Sequence, residues 1–220
     1  MTIILRKAVL LGLGLVVAMT CGAQRDTLQE HEPLAPDTLV QAVADSLAAV
    51  SPHNRVRFLD VEVAGDLHAF VEQMRCKGFA FVSRDEKTLV MQGKYMGSPS
   101  TLTVYFTPVS HTVYSVSVML APVADWRALQ SQYQFYRRVM VQRHGEPGEE
   151  FSFFSFPYKE GDGKEMEAVN QDKCNYTAYF FQPNGDIIDV GIFPGASVGF
   201  DYWNWYNAKM VGDKEEELRK

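Results

Sequence analysis

Hydrophobic and polar positions alternate along most of this chain with two periods, and the elements follow from where the period changes. The run 56–63 reads as a strand. Gly65-Asp66 then opens a helix whose Leu67, Phe70, Val71 and Met74 fall at i, i+3, i+4 and i+7, one apolar face that Gly78 terminates. Four strand-like runs follow at 79–83, 89–95, 101–107 and 113–120. In the third, Leu102, Val104 and Phe106 share one side; in the fourth, Tyr114, Val116, Val118 and Leu120 do. Asp125 is a good N-cap for a second, longer helix in which Trp126, Leu129, Tyr133, Tyr136 and Met140 step by three and four. It ends at Gly145 with Pro147 just beyond. Strands then read at 150–156, 175–182, 186–193 and 198–205, interrupted by a polar loop at 158–171.

A helix followed by four strands, twice, predicts an α+β fold of two tandem helix-plus-four-strand units, residues 58–122 and 123–207. They form one domain, an antiparallel sheet with helices packed on one face. Residues 24–57, polar and punctuated by Pro33, Pro36 and Pro52, read as a flexible leader with a short apolar stripe at Leu39, Val40, Val43, Leu47 and Val50. Residues 208–220 read as a charged tail.

The N-terminus changes the picture most. Arg6 and Lys7 precede the apolar run Ala8–Met19, about a dozen residues, which fits a signal peptide and is short of the roughly 20 that span a bilayer. Small residues at Cys21 and Ala23 suit cleavage before Gln24, so residues 1–23 are predicted to be removed and the protein to be periplasmic. An alternative takes Cys21 as a lipidated cysteine of an envelope component, although Thr20 is a poor residue directly before it. No other stretch is long enough to span a membrane. Cleavage leaves Cys76 and Cys174, an even pair that an oxidising compartment would allow to bridge, or two thiols behaving as small hydrophobes.

Composition then excludes classes. With 46% hydrophobic and 22% charged residues the chain is neither disordered nor fibrous. The formal charge of −6, which loses two more positive charges with the signal peptide, leaves no basic footprint for nucleic acid. G-x-S-x-G, H-E-x-x-H, P-loop and dinucleotide motifs are absent, and no cofactor is predicted. His68 and Cys76 share a helix two turns apart and cannot meet. Arg127, Arg137, Arg138 and Arg143 read as a solvated helix face, and His144 as a favourable charge at a helix C-terminus.

Lys77-Gly78-Phe79, Gln92-Gly93-Lys94-Tyr95-Met96-Gly97, Trp126 followed by Tyr133, Gly145-x-Pro147 and Asp172-Lys173-Cys174 occur in that order. The pattern resembles an uncharacterised family of small exported (periplasmic) proteins from Gram-negative bacteria, over about residues 58–207, with His144 standing where that family would have an aromatic. The resemblance implies no activity and no catalytic residues. The tandem plan also looks like the architecture of β-lactamase-inhibitory proteins, an analogy of fold that carries no function.

One constellation holds candidate chemistry. A two-residue turn at Asn184-Gly185 pairs Phe180 with Asp189 and Phe181 with Ile188; a turn centred on Gly195 pairs Asp189 with Asp201. Thr177, Tyr179, Phe181, Ile188, Val190, Ile192, Val198, Phe200 and Tyr202 then share the core side. The other side carries Ala178, Gly191 and Gly199 in a row. Asp189 and Asp201 lie beside that row, with Tyr176, Phe180, Phe193 and Trp203 around them. This predicts a shallow groove walled by aromatics and floored by two acids. Directly opposed like charges cost about 0.2–1 kcal/mol, which suggests a cation, a basic ligand or a shared proton. The candidate ligand-binding residues are therefore Asp189, Asp201, Trp203, Phe180, Gly191 and Gly199. The expected function is a non-catalytic binding or interaction module whose partner is a small ligand, a glycan or a protein. The alternative is a cell-envelope or glycan hydrolase using Asp189 and Asp201, although a retaining pair needs about 5–5.5 Å between carboxyls across a deeper cleft.

Overall fold

A computed structural model describes residues 55–211. The expected signal peptide, the lipidation alternative at Cys21, most of the expected leader and the end of the charged tail lie outside the described residues.

The first strand-like run is a small hairpin, β1 (Arg57–Phe58) and β2 (Val61–Glu62). Leu59 and Asp60 both take positive φ between them, the geometry of a two-residue turn. The buried positions Val56 and Phe58, then Val61 and Val63, slip phase by one across that turn. Helix α1 (Leu67–Cys76) begins where Asp66 accepts the Ala69 N–H at 3.0 Å, and it buries Leu67, Phe70 and Met74.

Eight strands follow: β3 (Ala80–Arg84), β4 (Thr88–Tyr95), β5 (Ser98–Phe106), β6 (Val113–Leu120), β7 (Glu149–Phe154), β8 (Cys174–Phe181), β9 (Ile187–Phe193) and β10 (Ser197–Trp203). Helix α2 (Trp126–His144), capped by Asp125 on the Ala128 N–H at 2.9 Å, joins β6 to β7. The eight strands form a single antiparallel sheet in the order β3-β4-β5-β6-β10-β9-β8-β7.

This overturns the expected fold class. Sheet dominates, and only α1 and α2 among the described helices exceed seven residues, so the molecule is not two tandem helix-plus-four-strand units. Alternation along a strand reports which side is buried and says nothing about which strand lies alongside. Here β6 and β10 pair from Gly199↔Met119 to Trp203↔Ser115, making the two runs of strands one continuous sheet. The likeness to β-lactamase-inhibitory proteins rested on the two-unit plan and is not carried further. What holds is the antiparallel sheet with mixed helix and strand content. The 158–171 loop also contains a helix, α3 (Glu165–Asn170), in which Glu165 is buried and accepts the Gly161 N–H at 2.8 Å.

One face of the sheet carries the core. Phe200 of β10 meets Tyr95 of β4 and Tyr136 of α2 edge-on at 5.0 and 5.4 Å between ring centroids. Phe58 lies 5.3 Å from both Tyr95 and Tyr202, and the hydroxyls of Tyr95 and Tyr202 share a buried hydrogen bond of 2.6 Å. Toward β7, Tyr176 meets Trp126 and Tyr133 of α2. Arg137 of α2 grips Glu150 of β7 through two hydrogen bonds of 2.7 and 2.5 Å, so this arginine is tied down rather than freely solvated.

At one end of the sheet a carboxylate gathers distant segments. Asp186, between β8 and β9 and only 2% exposed, accepts the Val56 N–H at 2.8 Å and the Trp205 N–H at 3.1 Å. Nearby, Asn204 donates to the Val63 carbonyl and Asn207 to the Val113 carbonyl, both at 3.0 Å.

Phe200→Ala removes the ring that joins β10 to α2 and β4. It is expected to cost about 3–5 kcal/mol, the usual range for truncating a buried Phe, read as a lower urea midpoint with an unchanged m-value.

Candidate functional site

The turn at Pro194-Gly195-Ala196 sets β9 against β10 in the expected register, with Asp189 opposite Asp201 and Gly191 opposite Gly199. Gly195 takes φ +88°, as the tight reversal requires. The row continues outward on both sides, from Asp201 to Ser117 of β6 and Thr103 of β5, and from Asp189 to Tyr179 of β8 and Glu149 of β7. Asp189, Asp201 and Trp203 thus lie on the face of the sheet opposite the core, called here the open face.

The β8–β9 register differs from expectation by one residue. Phe181 pairs with Ile187, Phe180 with Ile188 and Tyr179 with Asp189. Asn184-Gly185 reads as a two-residue hairpin turn, but Pro183 before it supplies the φ that a type I turn wants at its second position. The loop is therefore Pro183-Asn184-Gly185. The Gly185 N–H donates to the Gln182 carbonyl at 2.9 Å, and Gly185 sits in the left-handed region at φ +86°.

One residue of slip exchanges the faces of β8. Phe180, placed by sequence beside the two acids, is 1% exposed in the core, with its ring 6.0 Å from His144. Tyr176 and Ala178 turn to the core with it. Thr177, Tyr179 and Phe181 come to the open face instead. His144 is half-buried, and burial holds its imidazole below the ordinary value, so its environment is set by packing more than by a helix end.

The glycine row is not an empty strip. A Cβ on Gly199 would meet the Met119 sulfur at 2.5 Å and the Phe193 ring at 2.8 Å; one on Gly191 would meet the Thr177 hydroxyl at 2.8 Å and the Tyr176 carbonyl at 3.1 Å. Met119 and Phe193 lie across the glycines and fill the expected groove. Close approach of these side chains is what the two glycines permit. Asp189 and Asp201 are correspondingly withdrawn, at 6% and 8% exposure.

Aromatic rings surround the acids. Trp203 stacks obliquely on Tyr114 at 6.2 Å, and Tyr114 on Tyr105 at 6.3 Å. Tyr114 faces this side, not the core, because it is the extra residue of a bulge: Tyr105 pairs with Ser115 and Phe106 with Val113. Burial raises the phenol pKa of Tyr105, and the charge of Asp201 raises it further. Burial raises Tyr179 as well, helped by Asp189 and Asp201. Both phenols therefore stay protonated beside the carboxylates.

The exposed part of the open face lies one strand further out, where sequence reasoning did not look. Phe151 and Phe153 of β7 and Phe181 of β8 are 43%, 51% and 48% exposed. Phe151 sits 6.3 Å from Phe153 and 6.2 Å from Tyr179, ring to ring. The signal was present in Phe151, Phe153 and Phe181 at alternate positions, once Thr177↔Gly191 fixes their side of the sheet.

Cys76 and Cys174 are not bridged; Cys76 is exposed at the end of α1 and Cys174 is buried at the start of β8. Among the described residues no group of three or more His, Cys, Asp or Glu side chains is placed to hold a metal ion, and no helix is long and apolar enough to cross a membrane. Compared with known proteins, the chain matches no family model, no curated protein and no solved structure.

Two outcomes follow from this geometry. Gly199→Ala is expected to cost about 1–3 kcal/mol through overpacking, and the cost should shrink when Met119→Ala is made with it. Because the folded state holds the Tyr105 and Tyr179 protons more tightly than the unfolded state, their contribution is intact below the ordinary phenol value of about 10. It is lost as pH rises through the raised folded values. Phenolate absorbance from these two residues, isolated by Tyr105→Phe and Tyr179→Phe, should therefore appear only together with alkaline unfolding seen by circular dichroism.

Proposed function

We propose that this chain is a non-catalytic binding module that receives its partner on the open face of the second half of the sheet. Phe151, Phe153 and Phe181 supply the contact area, and Trp203 borders it. The observation that carries this reading is the exposure of three phenylalanines on one sheet face, Phe151 and Phe153 in ring contact and Phe181 at the end of the neighbouring strand. Isolated exposed apolar residues are ordinary, whereas grouped rings mark interaction surfaces. Rings on a broad sheet face offer area with little directional chemistry, which suits a protein surface or a stacked sugar ring.

Asp189 and Asp201 have a different place in this proposal from the one their sequence suggests. Buried under rings, they tune the centre of the face and do not form its floor. The same burial weighs against the hydrolase alternative, which needs both carboxylates to reach a substrate. The basic pair Arg6-Lys7 with the apolar run behind it, and the resemblance to small exported proteins, support placing this surface in the periplasm.

The test is a thermal-shift screen of the protein against oligosaccharides, peptidoglycan fragments and short peptides, beside affinity capture from a periplasmic extract. A true partner stabilises the native state by mass action. Phe151→Ala, Phe181→Ala and Trp203→Ala are expected to fold normally, and at least one should weaken the partner by about 2 kcal/mol, roughly thirtyfold. Full binding by the folded triple variant would overturn the proposal.

A further inference from the structure

The turn that displaced the β8–β9 register also carries a chemical feature that neither the fold nor the binding face uses. Asn184 and Gly185 are exposed, and Asn184 is bonded to the carboxylate that holds the Val56 and Trp205 amides. Its Nδ2 donates to Asp186 Oδ2 at 2.8 Å, and its Oδ1 accepts the Asp186 N–H at 3.0 Å. The same Oδ2 accepts the Val56 N–H, and Oδ1 accepts the Trp205 N–H. Asp186 thus joins Val56 and Trp205 through one buried side chain, and the Asn184 amide donates to the same carboxylate.

We propose that Asn184 is a modification site, where deamidation places a second carboxylate against Asp186 and loosens the junction that holds Val56 and Trp205. The chemistry needs only water and hydroxide. The Gly185 amide nitrogen, after losing its proton to hydroxide, attacks Asn184 Cγ. A C–N bond forms and the Cγ–Nδ2 bond breaks, with the departing nitrogen taking a proton from water to leave as ammonia. Water then opens the resulting five-membered imide at either carbonyl, giving aspartate or isoaspartate at 184. Glycine at the following position leaves the attacking nitrogen unhindered, because no Cβ flanks it.

The folded turn restrains this reaction and is itself damaged by it. The attacking nitrogen has its N–H committed to the Gln182 carbonyl, and both ends of the Asn184 amide are held by Asp186. Attack requires the turn to open. Afterwards Asp186 Oδ2 keeps the Val56 N–H but loses the Asn184 donor, and two carboxylates face each other at hydrogen-bond distance. Like charges so close, one of them 2% exposed, repel in a poorly screened setting. Isoaspartate also inserts a methylene into the backbone, which the three-residue loop cannot absorb while keeping Phe181 opposite Ile187. The residue therefore acts as a one-way record of turn opening, and its output is weaker tethering of Val56 and Trp205 to Asp186.

The experiment incubates the full chain at mildly alkaline pH, folded and in urea, and follows Asn184 by peptide mapping, which resolves the exchange of NH2 for OH. Conversion is expected to be several-fold slower in the folded protein. Asn184→Asp, the stable mimic, should lower the thermal midpoint by about 3 °C or more and speed hydrogen exchange at the Val56 and Trp205 amides. Asn184→Ser retains an oxygen for the Asp186 N–H and a hydroxyl donor for its carboxylate, so it should keep protection at those amides and resist conversion. Equal conversion rates in folded and unfolded chains would overturn the proposal. So would wild-type protection of Val56 and Trp205 in Asn184→Asp.

Discussion

The pairing of β6 with β10 is the contact on which the rest depends. Without it the sheet would break at its middle, and each half would expose a full row of unpaired backbone groups. With it, β10 has a neighbour on each side, and its alternate residues are assigned to opposite faces at once. Val198, Phe200 and Tyr202 go to the core, and Gly199, Asp201 and Trp203 to the open face. A slip of one residue would drive Asp201 into the space filled by Tyr95 and Tyr136 and bring the Phe200 ring to the face where Met119 and Phe193 lie. The core would lose the Phe200 ring and gain a carboxylate in its place between Tyr95 and Tyr136, so the register is fixed by what it excludes.

The two faces are stabilised differently. On the core face, rings from the β1–β2 hairpin, from β4, β8 and β10, and from α2 interlock, and the Tyr95 and Tyr202 hydroxyls share a hydrogen bond. On the open face no described helix supplies rings, so the side chains of the sheet cover their own backbone. Phe193 and Met119 lie over glycines, and Trp203, Tyr114 and Tyr105 lie in a stepped row. Burial, and the acids beside them, keep the Tyr105 and Tyr179 phenols neutral, so neither adds a charge next to Asp189 and Asp201.

Much of this was legible from residues alone, and the failures are specific. Helix starts at Asp66 and Asp125 and the burial of Phe70, Met74, Tyr133 and Met140 follow from caps and spacing, which are local signals. The Asp189–Asp201 and Gly191–Gly199 pairs were legible because one short turn sets them. The turn at Asn184-Gly185 misled because two turn chemistries compete there. Pro183 decides for the three-residue loop, and that one residue moved Phe180 from the proposed site into the core and Phe181 out of it. The phase slip between Phe58 and Val61 announced a hairpin where one strand was read. The joining of β6 to β10 had no local signal at all, since the partners lie about eighty residues apart and each strand looks alike whether it is an edge or a centre.

The edges of the sheet sharpen the meaning of its exposed rings. β3 is blunted by a register shift between Phe81 and Ser83, and by Arg84, whose guanidinium lies over the Phe106 ring. β7 begins on Glu149-Glu150, with Pro147 before it and Pro157 beyond its end, so neither strand presents a long unbroken template for a further strand. A chain that restrains its edges in this way is protected against indiscriminate strand addition. Phe151, Phe153 and Phe181 are not edge groups in that sense, because their rings project from the face and leave the backbone rim to the acids and prolines. Exposed rings on a face whose rim is guarded are better explained by contact with something laid across the sheet than by pairing at its end.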